Sequence, residues 1–118
     1  MIFTSYYAKA AKLKGYRISV SVTTPKWADV DGSWQAVKPA WDLVEKLKTG
    51  TDETAYAEAY EAQLAALDLS EDIRQLKAAR EDVFLLCYEA PSGFCHRHVL
   101  ARHLRNKYGL EVQEYQEA

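Results

Sequence analysis

The sequence has few of the residues that mark fibrous, disordered or membrane-spanning proteins. Its 118 residues include only five glycines and three prolines, and 27% of them are charged. This composition excludes collagen-like and low-complexity classes. No apolar run approaches the roughly 20 residues that cross a bilayer, and the first residues hold no apolar stretch long enough for a signal peptide. We therefore expect one cytoplasmic domain over residues 1–118, with no membrane partner.

Cysteine is also scarce, since the chain has only Cys87 and Cys95. Secreted domains held together by disulfides have a richer cysteine framework. The hydrophobic fraction of 48% is enough to form a core in a chain of this length without such a link or a structural metal. We therefore expect both cysteines to be reduced thiols, and we predict no metal ion and no cofactor.

Acidic residues are absent from two stretches, 1–28 and 90–110, although the net charge is -2. The first stretch holds five lysines and arginines, and the second holds four together with all three histidines. Residues 51–89, by contrast, contain ten acids and three bases. If the two basic stretches meet in the fold, they form a surface that attracts anions.

Strand-like and helix-like patterns alternate in the first part of the chain. The runs Ile2–Tyr6 and Tyr16–Val22 have the composition of strands, with a short helix between them. Residues 23–32 have the composition of a loop. From residue 37 onward apolar residues recur at helical spacing, which assigns Trp41 to the core and places Pro39 in the first turn of a helix.

The rest of the chain continues this alternation. Two more helices are expected in the middle, with Thr51 and Ser70 as their caps. Val83–Tyr88 is an apolar run typical of a strand covered on both faces, and it is followed by a loop, a helix over residues 95–108 and a further strand. Strands joined through a helix in this way are parallel. The sequence therefore predicts a single α/β domain with a small, mostly parallel sheet flanked by helices.

Reactive and charged residues follow the predicted central strand. Cys87 and Glu89 come at its end, and Cys95, His96 and Arg97 begin the next helix. Ligands of open α/β sheets bind outside the carboxyl ends of the strands, and a helix N-terminus stabilises an anion. A cysteine in these surroundings favours the thiolate, although a small core residue is an equal interpretation of Cys95 and the better one of Cys87.

We assign roles on this basis. The candidate catalytic residues, which would act as nucleophile, proton-transfer group and hydrogen-bond acceptor, are Cys95, His96 and Glu89. The candidate ligand-binding residues, which would hold an anion or stack a base at the strand exits, are Arg97, Ser92, Gly93, Ser5 and Trp27.

Three other interpretations of this segment are weaker. A phosphatase loop needs five residues between cysteine and arginine, whereas six separate Cys95 from Arg102. A rhodanese-like loop would place Glu89 beside the anion bound at Cys87. The cysteines and histidines do not have the spacing of a zinc site.

The segment LLCYEAPSGFCHRHVLARHL contains Cys-x-Glu at the strand end and then Cys-His-Arg. Together with Ile2–Tyr6, WDLVEKLKTG and YAEAYEAQL, it resembles domain-of-unknown-function family 488 (DUF488) of bacteria and phages. The resemblance covers nearly the whole chain. It implies the α/β fold and a site at this motif.

Two function classes follow from these observations. In the first, the chain is a binding module with an anion site for a nucleotide or a nucleic acid at Cys95, His96 and Arg97. In the second, it is an enzyme that uses Cys95 or His96 on a small phosphorylated or anionic substrate. A third interpretation, an interaction protein that binds through its acidic helical middle, also stays open.

Overall fold

The computed structural model of the chain describes residues 1–48, 52–88 and 96–116, without the side chains of 44 and 46–48. The strands are β1 (Ile2–Tyr6), β2 (Tyr16–Ser19), β3 (Gly32–Ser33), β4 (Val83–Cys87) and β5 (Val112–Glu114). The α-helices are α1 (Trp41–Lys48), α2 (Glu53–Ala65), α3 (Ser70–Ala78) and α4 (His96–Tyr108). Two 3₁₀ helices cover Tyr7–Lys12 and Gln35–Val37.

The five strands form one parallel sheet in the order β3-β2-β4-β1-β5. This confirms the predicted small α/β fold. β4 is central, and every residue in it is buried. Its apolar run can occupy that position because both of its faces are covered.

The two faces of the sheet have different covers. Val83, Leu85 and Cys87 of β4 belong to a large core that includes residues of α2, α3 and α4. Phe84 and Leu86, which alternate with them, pack instead against the first 3₁₀ helix. Helices therefore cover one face, and a short 3₁₀ segment with its neighbouring loop covers the other.

β1 and β2 both begin at the residues that the sequence pattern predicts, but β2 ends earlier than predicted. β1 has the predicted bounds, whereas β2 ends at Ser19 instead of Val22. The Val20 N–H still donates to Leu86 at 3.0 Å, and the chain then bends out of the sheet. Gly32 and Ser33 pair with β2 as a strand too short for a periodic signal, where the sequence predicted the end of a loop.

The first α-helix differs from the prediction. α1 begins at Trp41, so Pro39 precedes the helix instead of lying in its first turn. Trp41 is 51% exposed, and its assignment to the core is wrong. Its indole N–H donates to Glu45 at 2.7 Å along the helix surface, which satisfies the polar group on the solvent side.

The starts of the next two helices are fixed by acidic side chains. Asp52 caps α2 by accepting from the Thr54 N–H at 3.0 Å, while the predicted cap, Thr51, lies outside the described residues. Ser70 is the first residue of α3 and not its cap, because the residue that precedes the helix is Leu69, and the Ser70 N–H donates to Asp68 at 3.0 Å. In the described parts of the chain, no helix has the length and apolar character needed to cross a membrane.

Candidate functional site

The candidate site lies at the carboxyl end of β4, where neighbouring connections leave the sheet toward opposite faces. After β1 the chain enters the 3₁₀ helix, and Tyr7 packs on the face of Phe84 and Leu86. The helix that follows β4, α4, packs Leu100 and Leu104 on the other face. Diverging connections of this kind open the crevice in which ligands of parallel α/β sheets bind. The sequence places the site at this same edge.

Four of the predicted site residues lie outside the described residues. They are Glu89, Ser92, Gly93 and Cys95. Their assigned roles therefore stay predictions. The structure describes the other four, which are Ser5, Trp27, His96 and Arg97.

His96, the first residue of α4, ties the start of this helix to the end of β2. It is 8% exposed, and its Nε2 lies 2.8 Å from the carbonyl oxygen of Val20. Because a carbonyl only accepts, Nε2 carries the proton and donates. Burial lowers the pKa of His96 to about 4, so the ring is neutral at pH 7. The ring edge of His96 also packs against Tyr60 at a centroid distance of 5.5 Å.

Arg97 is completely buried and makes a bidentate ion pair with Glu114 of β5. Its Nε and Nη2 donate to the two carboxylate oxygens at 3.0 and 2.9 Å. Its Nη1 lies 3.1 Å from the Cys87 sulfur, and its guanidinium lies 5.9 Å from the centre of the Tyr6 ring. Thr4 donates to Glu114 at 2.7 Å. This network joins α4 to β1, β4 and β5.

The ion pair changes what is expected of Arg97. A ligand anion that binds the guanidinium has to compete with Glu114, whose side chain is 19% exposed. The role of Arg97 as a direct anion ligand stays a prediction. In the described contacts, Arg97 fixes the first turn of α4 against the sheet edge.

Cys87 is fully buried in β4, as its apolar run predicts, but its sulfur is disulfide-bonded. The expectation of a reduced thiol at this position is therefore wrong in this structure. The other cysteine of the sequence, Cys95, lies outside the described residues. The sequence could not give this result because the oxidation state of a cysteine depends on its neighbours in the fold, which the sequence alone does not show.

Ser5 and Trp27 occupy different surroundings. Ser5 is 1% exposed and pairs with Leu86 near the carboxyl end of β4. Trp27 is 66% exposed and lies in a turn of the loop after β2, where the Ala28 N–H donates to Pro25 at 3.1 Å. The fold therefore brings Ser5 to the same sheet edge as His96 and Arg97, while Trp27 stands on the outer surface of the loop.

Sequence reasoning missed a cluster of hydroxyl groups at this edge. The Tyr7 hydroxyl lies 2.7 Å from that of Ser19 and 2.5 Å from that of Ser21. Ser19 in turn lies 2.6 Å from the Thr24 hydroxyl. The Ser21 hydroxyl donates to the carbonyl of Thr23 at 2.6 Å. The alternation of serine with apolar residues from Ile18 to Val22 is the sequence signal that could have found this cluster.

Tyr88 was also missed, and it borders the hydroxyl cluster on the solvent side. It is 47% exposed, its ring packs edge-on against Tyr7 at 5.1 Å, and its hydroxyl lies 2.9 Å from that of Thr23. An exposed tyrosine directly after a buried strand gives the edge an aromatic surface.

The basic side chain of Arg17 does not contribute to an anion-attracting surface. Its guanidinium pairs with Asp31, with Nε 3.1 Å from the carboxylate. The hydrogen bond from Arg17 lowers the pKa of Asp31, so the carboxylate stays charged and neutralises the guanidinium. Of the basic side chains near the edge, Lys26 in the loop after β2 is exposed.

A separate cavity of about 570 Å³ lies between α3 and the edge of the sheet formed by β2 and β3. It is lined by Tyr16, Ile18, Trp34, Leu76 and Val83 among others, and none of the described predicted site residues borders it. Among the residues that the structure describes, no group of three or more His, Cys, Asp or Glu side chains could hold a metal ion.

Fold and site together define a small parallel α/β domain with a candidate ligand site at the carboxyl edge of its central strand. A family model described as the active DUF488-N3 subclade, DUF488-N3a, matches residues 1–108. The chain belongs to this family. No curated protein and no solved structure matches the chain.

Proposed function

We propose that the chain binds a small anionic ligand of the nucleotide type in the crevice at the carboxyl end of β4. The observation that carries the proposal is the position of α4, a helix of 13 residues that begins with His96 beside the carboxyl edge of the sheet, where the His96 ring lies 2.8 Å from the carbonyl oxygen of Val20. The first turn of a helix presents main-chain N–H groups without intrahelical partners and the positive end of the helix dipole. These groups stabilise a phosphate or carboxylate.

The contacts of Arg97 support this proposal because they hold the first turn of α4 in a fixed position. Arg97 and His96 are both buried, and they attach the same helical turn to β5 and to the end of β2. Main-chain donors bind an anion best when they are already in place, because no ordering cost is then added on binding.

Two exposed aromatic side chains support the nucleotide class over a simple inorganic anion. Tyr88 is at the end of β4, and Trp27 is on the loop after β2 beside exposed Lys26. Stacking of a base on such a side chain contributes about 1 to 3 kcal/mol. A lysine near the same surface adds attraction for phosphate that weakens as salt increases.

The proposal is tested by titrating the chain with adenosine monophosphate by calorimetry at low and high salt. We expect binding that weakens with salt, and a loss of about 5-fold or more in affinity for Trp27→Ala or Tyr88→Ala. Trp41→Ala is the matched control, because Trp41 is also exposed but lies on α1. Absence of binding under both conditions would contradict the proposal. Binding of a single-stranded oligonucleotide without binding of the mononucleotide would replace the nucleotide by a nucleic acid.

A second candidate is an enzyme that acts on a small phosphorylated or anionic substrate, with His96 buried at the start of α4 as the described residue that bears on it. The word active in the family description is said of the family, and the catalytic roles of Cys95, His96 and Glu89 in this chain are predictions. With a pKa of about 4, His96 is neutral at pH 7 and a weak base, so a role in proton transfer requires that the negative charge of a bound substrate raise this pKa.

This candidate is tested by measuring phosphate release from adenosine monophosphate. We expect turnover by the native chain and its loss in His96→Gln and Cys95→Ala variants that still bind the nucleotide. Binding without turnover leaves the chain a binding module. The cytoplasmic location expected from the sequence is part of both proposals, and cell fractionation tests it.

A further inference from the structure

The hydrogen bonds among Thr24, Ser19, Tyr7 and Ser21 form one continuous series, which we call the hydroxyl chain. It begins at Thr24, which is partly exposed, and passes through Ser19 and Tyr7, which are 1% and 2% exposed. It continues to Ser21 and ends at the carbonyl oxygen of Thr23. Four hydroxyl protons are therefore shared among four successive hydrogen bonds.

The last acceptor fixes the direction of every bond in this series. A carbonyl oxygen cannot donate, so the Ser21 proton points to Thr23. Ser21 then accepts from Tyr7, which has a single proton to give. Tyr7 in turn accepts from Ser19.

By the same reasoning Ser19 accepts from Thr24, so the proton of Thr24 is directed into the protein. The outer side of the Thr24 oxygen consequently presents lone pairs. A ligand atom that reaches it must donate a hydrogen bond. An acceptor, such as a phosphate oxygen, would require all four hydroxyls to reverse and would leave the Thr23 carbonyl without its donor.

We propose that Thr24 is a subsite for a sugar hydroxyl of the nucleotide. This inference deepens the proposed function and rests on it. The phosphate lies at the first turn of α4, where the donors are main-chain N–H groups, and the sugar lies toward the loop after β2, where the hydroxyl chain offers an acceptor. The two ends of the site thus distinguish the two ends of the ligand by opposite hydrogen-bonding character.

The test compares adenosine monophosphate with its dideoxy analogue, which lacks both ribose hydroxyls. For the native chain we expect the ribonucleotide to bind about 3- to 10-fold more tightly, the effect of one hydrogen bond between neutral groups. Thr24→Val, which keeps the side-chain shape without the hydroxyl, should lower the affinity for the ribonucleotide to that of the analogue and leave the analogue unchanged. Thr24→Ser should restore the preference.

Ser21→Ala tests the direction of the hydroxyl chain separately. Without Ser21 the Tyr7 proton is no longer committed to one side, so the other hydroxyls can reverse and Thr24 can donate outward. Because a sugar hydroxyl accepts as well as donates, we expect this variant to keep the preference for the ribonucleotide. An analogue with methoxy groups in place of the ribose hydroxyls can only accept, so it should bind this variant more tightly than the native chain. Equal binding of that analogue to the two proteins would contradict the inward direction of the hydroxyl chain. Thermal melting of each variant shows whether it is folded.

The outcomes separate the two proposals. If neither nucleotide binds the native chain, the proposed function and this inference both fail. If both nucleotides bind equally well to the native chain, or if Thr24→Val weakens both by the same factor, the proposed function survives and the Thr24 subsite is wrong.

Discussion

Arg97 at the start of α4 and Glu114 in β5 form a bidentate ion pair with N–O distances of 3.0 and 2.9 Å. The arginine is fully buried and the glutamate 19% exposed. In the motif Cys-His-Arg the arginine is the obvious anion ligand, yet the fold supplies its own carboxylate. The pair therefore links the first turn of the site helix to a strand at the edge of the sheet.

Removal of one partner of this pair should be costly. Arg97→Ala leaves the Glu114 carboxylate without its counter-charge, and breaking a buried pair in this way destabilises by about 3 to 5 kcal/mol. Urea denaturation measures the loss. Arg102→Ala on the exposed side of α4 is the control and should change stability by less than about 0.5 kcal/mol. Equal effects of the two substitutions would show that the pair does not stabilise the fold.

His96 should make the stability depend on pH in the acidic range. Its pKa is lowered from 6.5 to about 4 by burial, so between these values the unfolded chain binds the proton that the folded chain does not. The contribution of His96 to the free energy of unfolding is complete above pH 6.5 and is lost as the pH falls toward 4. The total loss is on the order of 3 kcal/mol.

The measurement is the free energy of unfolding of the native chain and of His96→Gln at several pH values. The Gln side chain keeps an N–H donor near Val20 but does not titrate. The difference in the free energy of unfolding between the native chain and His96→Gln should shrink as the pH falls from 6.5 to 4. A difference that is constant with pH would contradict the assignment. The pKa of His98 is also lowered by burial, and His98 is present in both proteins.

Tyr7→Phe should destabilise the fold by about 1 to 3 kcal/mol, because it leaves Ser19 without an acceptor and Ser21 without a donor in a buried place. Chemical denaturation gives the value. Tyr16→Phe is the matched control, since Tyr16 is 41% exposed. A Tyr7 variant as stable as the Tyr16 variant would mean that the hydroxyl chain contributes nothing to stability.

Gly15→Ala should weaken the start of β2. A Cβ atom at this position would lie 2.2 Å from the carbonyl oxygen of Asp82, which accepts from the Tyr16 N–H at 2.8 Å. Because backbone atoms have to move, we expect a loss of about 1 to 3 kcal/mol in thermal or urea unfolding. Gly32→Ala meets only the end of the flexible, exposed Tyr16 side chain and should cost less. The opposite order of the two variants would be inconsistent with this geometry.

Sequence periodicity located the strands and helices that contribute several apolar residues to the core. β1 was predicted with its observed bounds, and the apolar run of β4 correctly indicated a strand buried on both faces. The predicted helix over residues 95–108 corresponds to α4. These predictions succeeded because burial of a whole face imposes a repeat that is visible in the sequence.

Short or polar features gave no such signal. β3 has two residues, and Trp41 shares a helical stripe with apolar residues although it faces solvent. The sequence also contained no indication that Arg97 would be paired by a glutamate 17 positions away, and the alternating serines Ser19 and Ser21 did not indicate that Tyr7 would be their partner.

The sequence by itself determined the fold class and the buried central strand, because these depend on the order and period of apolar residues. Only the tertiary structure decided which polar groups are neutralised, which carry their protons inward and which face solvent. Hydrogen bonds and ion pairs depend on distances of a few tenths of an ångström between residues remote in sequence, such as His96 and Val20, and no local pattern encodes those distances.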